Sequence, residues 1–527
     1  MEKQQTSESA KCWKGKISVS PYNQLILGKK NVGDVMLLDT TLRDGEQSPG
    51  IALSADDKIV MAQAIDEIGV DVMEVGFAAS SETEKETVRK IARLGTKARV
   101  CSLARSTHAD VDAVIDSGAD YVHTFIATSD IHLKYKLKMT RDEVIARAVD
   151  TVEYAKSHGL YVQFSCEDAT RTELGYLREV YKAVEEAGAD IVNVPDTVGV
   201  IIPEAMGYLI GELRKDIRIP MAVHCHNDLG LAVANSFAAV EAGADQIHVC
   251  VNGLGERSGN ASMDEVATGL FINYGIDKFD ITKLGPVSKI VSRHTGYQIA
   301  YNKPIVGRNA FAHESGIHVH GVLNNAATYE AFPPEMVGMS RNITIGKLSG
   351  AHSVKERLNA MNIDFPESMM PELMANIKEL AVGGKDINNI ELAVIAENTL
   401  WKGRSAECVK LKEFVVVTGK NVTPTATVTV DIEGVKNTCA QTGLGPVDAA
   451  INAIRGAVNE KITLEELRLE AITGGSDSLC EVTVMIKNAQ NDGNVSAGKA
   501  VGLDIVDTSV DAIMEAINRD YSSKRKD

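Results

Sequence analysis

Two histidines and a carboxylate carry the first chemical signal. In the stretch HCHN, His224 and His226 stand two residues apart. On a strand, that spacing puts both imidazoles on one face. So placed, they can share a metal ion; a lone His-x-His also has a plain packing reading. Much earlier comes LLDTTLRDGEQSPG, Leu37 to Gly50, an apolar run ending in Asp39, two threonines, Arg43, Asp44, Gly45 and Glu46. Two imidazoles, the Asp44 carboxylate and an Asn oxygen make a mixed nitrogen–oxygen set with open positions. Such a set suits a Lewis-acidic divalent ion such as Mg2+, Mn2+ or Zn2+. Arg43 adjoins Asp44, so it is expected to project differently and to stabilise an oxyanion on a substrate. Glu74 is placed to hold Arg43 by a bidentate pair, or to form a purely structural salt bridge with it. Cys225, between the histidines, should face away from the metal.

These residues need a scaffold that brings distant strand ends together. Eight apolar runs supply it: VMLLDTT from Val35, VDVMEVGF from Val70, RVCSLA from Arg99, YVHTFIA from Tyr121, YVQFSCED from Tyr161, IVNVPDT from Ile191, MAVHCHN from Met221 and QIHVCVNG from Gln246. Amphipathic stretches lie between them. In SADDKIVMAQAIDEIG, Ser54 is a good N-cap, and Ile59, Ala62, Ile65 and Ile68 recur at helical spacing. Gly-Ala-Asp recurs at Gly118, Gly188 and Gly243, each time ending a helix and opening a strand. A strand–helix unit used eight times predicts an α/β fold with a closed (β/α)8 TIM barrel; an open doubly wound sheet is the alternative. In a parallel barrel all C-terminal strand ends meet at one mouth. The polar residues stand at those ends, which is where such a barrel keeps its chemistry.

The chain has 527 residues and a formal charge of −17. That charge argues against nucleic acid and anionic membranes as partners. Eight scattered cysteines without a CxxC pair suit a reducing cytoplasm better than a disulfide framework. No apolar run reaches the roughly 18 residues of a membrane span. The expected domains are a leader at 1–34, the barrel at 35–304, small helical linker subdomains at 305–405 and a duplicated α+β part at 406–527. In that last part ATVTVDI precedes GLGPVDAAINAI, and CEVTVMI precedes VGLDIVDTSVDAIMEAI. Two related halves of this kind fit a small-ligand regulatory domain or an oligomerisation module.

Three motifs in order, LRDGEQ with Lys58 after it, HCHNDLGLAVANS from His224 and GLGERSGN from Gly253, resemble the α-isopropylmalate and homocitrate synthase family. The resemblance covers nearly all of the chain after the leader. It implies a metal-dependent Claisen condensation of acetyl-CoA onto a 2-oxo acid, followed by thioester hydrolysis. It implies metal ligation by Asp44, His224, His226 and Asn260. Arg43 would meet the carbonyl oxygen with Glu74 orienting it, and Thr197 would bind the substrate carboxylate. His123, Ser165, Glu167 and Asn193 would line the pocket, and His318 and Tyr329 would cover the acetyl-CoA side. His318 with Glu167 is expected to be the base or its water-bridged relay. The duplicated tail resembles the family's leucine-binding regulatory domain, with Gly443, Gly445, Asp448, Gly502 and Asp507 in its two Gly-rich turns. A homodimer or higher homo-oligomer is implied, in which His318 can act across the interface.

The stretches HTFIATS and NVPDTVG look more like enzymes that use 2-oxoisovalerate, the committed step toward leucine, inhibited by leucine. Pyruvate, giving citramalate, is the nearer alternative. Homocitrate synthesis from 2-oxoglutarate would need a cation for a second carboxylate, and Arg171 is the nearest available. A barrel serving only as an amino-acid sensor is the reading from another class. Ala78 and Asp130 stand where the family usually has proline.

Overall fold

The computed structural model describes residues 13, 15–27, 32–313, 318, 321–322, 324–343, 350–360, 363–380, 387, 389–402, 408–458, 462–472, 478–489 and 495–524. Residues 1–12, 14 and 28–31 of the expected leader lie outside them. Eight parallel strands close into a barrel: β1 (Met36–Asp39), β2 (Val72–Glu74), β3 (Arg99–Arg105), β4 (Tyr121–Ala127), β5 (Tyr161–Glu167), β6 (Ile191–Asp196), β7 (Met221–Cys225) and β8 (Gln246–Val249). Strand order follows chain order, and β1 closes on β8 with Leu38 opposite His248. Closure rules out the open sheet. Each strand falls within its apolar run except β3, which runs one residue further to Arg105, and some are much shorter; β2 keeps only three residues of its run.

The connecting helices begin and end as their sequences predict. Ser54 caps the helix Ala55–Asp66, and Asp57 completes a capping box. Gly118, Gly188 and Gly243 take φ of +79°, +98° and +112° between helix and strand, a region open to glycine at little cost. Ala62, Ile65 and Ile68 turn into the core. Their neighbour Lys58 is buried as well, because its Nζ lies 2.6 Å from Glu46 and 2.5 Å from Glu84. That ion pair ties the turn after β1 to the first two barrel helices. Alternate strand residues, among them Leu38, Cys101, Tyr121 and Ile191, form a separate small cluster that plugs the barrel interior.

The chain divides into two units: Met1–Ala312 with Asn325–Asn342, and His313–Asn324 with Ile343–Asp527. The second unit begins with helices Ala351–Ala360, Met370–Leu380 and Asn389–Lys402. Two repeats follow. The first has antiparallel strands Val409–Val417, Thr425–Ile432 and Val435–Thr442 and the helix Pro446–Val458. The second has strands Ile462–Ala471, Cys480–Asn488 and Val495–Gly502 and the helix Ile505–Lys524. Each half therefore holds three strands where the sequence signalled one clearly. Val428, Ile454, Val484 and Ile513 belong to one core shared by both repeats. Leu392 and Ile395, on the last of the preceding helices, pack in a cluster with Leu479 of the second repeat.

Candidate active site

The C-terminal strand ends converge on a cavity of about 300 Å3. Arg43 and Asp44 come from the turn after β1, His123 from β4, Ser165 and Glu167 from β5, Asn193 from β6 with Thr197 just beyond it, and His224 from β7 with His226 following. Leu103, Phe125 and Pro195 supply apolar wall.

Asp44, His224 and His226 hold ligand atoms within 4.8 Å of one another. His224 Nε2 lies 3.3 Å from His226 Nε2 and 3.4 Å from Asp44 Oδ2. Asn260 bridges to His226 through the backbone, and its buried Oδ1 has no hydrogen-bond partner. Its Nδ2 is turned to the Cys250 sulfur at 3.3 Å, which leaves the oxygen as the atom to offer. Burial lowers the pKa of His226 to about 3, with His224 and cationic neighbours outweighing Asp44. A neutral imidazole has a lone pair ready to donate. Burial would raise the Asp44 pKa, but Arg43 and His224 hold it well below the ordinary range. An anionic carboxylate, two imidazole nitrogens and an orphaned amide oxygen fit a divalent cation. Cys225 is buried and lies off this set.

Arg43 does not project away from Asp44. Its Nη1 donates to Asp44 Oδ2 at 2.8 Å, and its Nε donates to Glu74 Oε2 at 2.6 Å. Glu74 grips Arg43 through one oxygen, and the bidentate pair is absent; its Oε1 meets His123 Nδ1 at 2.7 Å. His123 Nε2 then meets Ser165 Oγ at 2.6 Å, which accepts from Asn193 Nδ2 at 2.7 Å. A continuous polar chain thus runs from Arg43 to Asn193 through five strand ends. Glu74 is fully buried, which would raise its pKa, yet Arg43 and His123 bring it down to about 2. Thr197 Oγ1 accepts from the Asp168 amide at 2.9 Å, leaving its hydroxyl proton to donate elsewhere.

Several residues stand apart from this chain. Arg171 does not line the cavity; its Nε donates to both oxygens of buried Asp168 at 2.9 and 3.0 Å. It is therefore not the cation for a second substrate carboxylate. Besides Arg43 and Arg257, the cation lining the cavity is Lys136, unmarked in the sequence except by its place in LKYKLK; its Nζ contacts both oxygens of Glu167. Arg257 at the mouth pairs with both oxygens of Asp228 and donates to the Thr197 carbonyl. Asp130, where the family usually has proline, pairs with Arg141 at 2.9 Å, and buried Ala78 donates its amide to Ser102 Oγ. Tyr329 in the first unit and His318 in the second are exposed, and neither is among the cavity-lining residues. Ser315, Gly316 and Ile317, beside His318, lie outside the described residues. In the second unit, Gly443 precedes the helix Pro446–Val458, where Asp448 accepts the Leu444 amide at 2.8 Å. Gly445 sits in the same turn, and Gly502 and Asp507 flank the corresponding turn of the second repeat.

Residues 34–291 match the family described as HMGL-like. Residues 305–385 match the homocitrate synthase post-HMGL domain-like family, and 386–521 match the LeuA allosteric (dimerisation) domain. A 2-isopropylmalate synthase from Methanocaldococcus jannaschii is 49% identical, over 94% of this chain and 96% of its own length. A probable 2-isopropylmalate synthase from Methanopyrus kandleri is 50% identical, over 94% of this chain and 99% of its own length. An (R)-citramalate synthase from Methanocaldococcus jannaschii is 45% identical, over 92% of this chain and 99% of its own length.

Proposed function

This chain belongs to the 2-isopropylmalate synthase family of acetyl-CoA-condensing transferases, and from that we propose that its 2-oxo acid is 2-oxoisovalerate and its product 2-isopropylmalate. The observation that carries the substrate reading is the cavity wall. Leu103, Phe125 and Pro195 offer apolar contact to a branched alkyl group. Beyond Arg43, the cations lining the cavity are Lys136 and Arg257, already engaged by Glu167 and Asp228, which speaks against a second substrate carboxylate. Pyruvate is the second reading, favoured by the 45% identity to a citramalate synthase. One apolar group more or less in a pocket is worth only about 1–3 kcal/mol.

Asp44, His224, His226 and Asn260 would hold a divalent ion, which when bound supplies Lewis acidity toward the 2-oxo group. The Thr197 hydroxyl donates to the substrate carboxylate, and Arg43 donates to the 2-oxo oxygen as charge gathers there. Glu74 keeps Arg43 aimed, and His123 keeps Glu74 aimed. Glu167 takes a proton from the acetyl methyl group. The C–H electron pair then forms the bond to the 2-oxo carbon, and the carbonyl π pair moves to oxygen, which ends as the tertiary hydroxyl. Water adds to the thioester carbonyl, the C–S bond breaks, and CoA leaves with a proton on sulfur. The C-terminal part is read as the module through which leucine inhibits and two copies associate, supported by its match to the LeuA allosteric (dimerisation) domain.

The experiment is CoA release from acetyl-CoA with a divalent metal, comparing 2-oxoisovalerate, pyruvate and 2-oxoglutarate, each with and without leucine or isoleucine. Preference for 2-oxoisovalerate with leucine inhibition is expected. Preference for pyruvate with isoleucine inhibition would keep the chemistry and replace the substrate.

A further inference from the structure

The segment after β4 has no part in the roles assigned above, yet it reaches into the cavity. A short helix, Asp130–His132, runs into a π-helical turn at Leu133–Leu137, a conformation that recurs at functional sites. Leu133 is the buried anchor of that turn. Lys136, three residues on, has a half-exposed side chain. Its Nζ nevertheless lies 2.6 and 2.8 Å from the two oxygens of Glu167. A second group from the same segment flanks that carboxylate: His132 Nε2 lies 3.8 Å from Glu167 Oε1, and His132 Nδ1 is tied to Ser129 and buried Asp168.

A half-exposed ion pair contributes little to stability. What this pair does contribute is orientation. The Glu167 backbone is fixed, since its carbonyl accepts from the Thr128 amide just past the adjacent strand β4. Its side chain still has three torsions to settle, and ordering a long side chain has an entropic cost. A cation held against both oxygens removes that freedom. We propose that Lys136 is a positioning residue that clamps the Glu167 carboxylate on the cavity wall, oriented to accept the acetyl methyl proton. This rests on the reading of Glu167 as the proton acceptor.

Lys136→Met tests it, with Lys136→Arg and Glu167→Gln beside it. Because Lys136 is half exposed, the Met variant should fold, and circular dichroism with a melting curve checks this. In Lys136→Met, kcat should fall ~10- to 100-fold, the scale of a misplaced catalytic group. The KM for the 2-oxo acid should stay within about twofold, since that substrate is bound by other residues. Exchange of acetyl-CoA methyl protons with deuterated solvent should slow in parallel. Lys136→Arg should recover a good part of both, and added methylamine should partly rescue Lys136→Met. Wild-type kcat in Lys136→Met, with Glu167→Gln strongly impaired, would overturn the clamp and leave Glu167 as the base. Unimpaired turnover in Glu167→Gln would overturn the reading of Glu167 itself, and the clamp with it. A raised KM for the 2-oxo acid at unchanged kcat would make Lys136 a substrate anchor instead, which also overturns the proposal.

Discussion

Glu74 is the residue on which the cavity floor turns. It is fully buried and shared between Arg43 and His123. Removing one partner of a buried ion pair is costly because the other is left uncompensated. Glu74→Gln keeps the shape and removes the charge. Asp44 still neutralises Arg43 in part, so the expected loss is roughly 3 kcal/mol, at the low end for breaking such a pair. A shift in denaturant midpoint at constant slope would measure it. The effect has a pH signature. The folded-state pKa is lowered from 4.5 to about 2, so the stability Glu74 contributes is present above pH 4.5 and is lost as pH falls through about 2. The gap between wild type and variant should therefore be constant near neutrality and close in strong acid. A gap independent of pH down to that range would mean that the charge is not what the site uses.

At the scale of the element, the loop after β8 shows how little side chain a site can tolerate. Gly259 has φ +87°, and a Cβ there would overlap the Gly253 carbonyl oxygen. The Asn260 amide in turn donates to that same carbonyl at 3.2 Å. Gly259→Ala must therefore push the loop outward and carry Asn260 away from His226. Leu254 and Ala261 of this loop pack in the barrel core, so a melting curve checks the fold first; in the folded variant divalent-metal affinity should fall at least ~10-fold, as when a supporting contact of a ligand is lost. Calorimetric titration with Mn2+ or Zn2+ reads it, and unchanged affinity would remove Asn260 from the ligand set.

The same loop marks what the sequence discloses. The barrel is legible because burial on both faces writes each strand as an apolar run, and because Gly118, Gly188 and Gly243 repeat one helix-to-strand device. His224, His226 and Asp44 are legible because polar residues at the ends of such runs have no packing reason to be there. The pairings of Lys58, Lys136 and Asp168 are not. Each is set by a partner that only tertiary folding brings near: Glu46 and Glu84 around Lys58, Glu167 beside Lys136, Arg171 and His132 around Asp168. Local periodicity carries no record of such pairings. Arg171 illustrates the converse, a cation close in sequence to the site and spent on a structural carboxylate.

At the scale of the whole molecule, the two C-terminal repeats leave a specific surface to account for. After an irregularity between Leu411 and Glu413, the strand Val409–Val417 turns Phe414 and Val416 inward and Val415 and Val417 outward. The two outward valines are 59% and 55% exposed, on a sheet where Thr427 and Thr425 stand opposite them. Charged residues are the usual protection for an exposed strand; here Glu413 and Asp431 guard one end of that face and the other end carries the two β-branched apolar side chains. If two copies associate through this module, this outer face is the natural contact. Covering one valine is worth ~1.5–3 kcal/mol, and a buried unpaired charge reverses that gain. Val415→Glu with Val417→Glu should therefore weaken self-association by at least ~100-fold, at ~1.4 kcal/mol per tenfold. If wild type self-associates, sedimentation velocity across a concentration series would show the variant as a monomer at concentrations where wild type is associated. Leucine sensitivity, read on the same variant, should fall with the association if the effector acts through the paired repeats. A variant that stays dimeric would place the contact on another face, and one that is monomeric yet still leucine-sensitive would confine the effector response to a single copy.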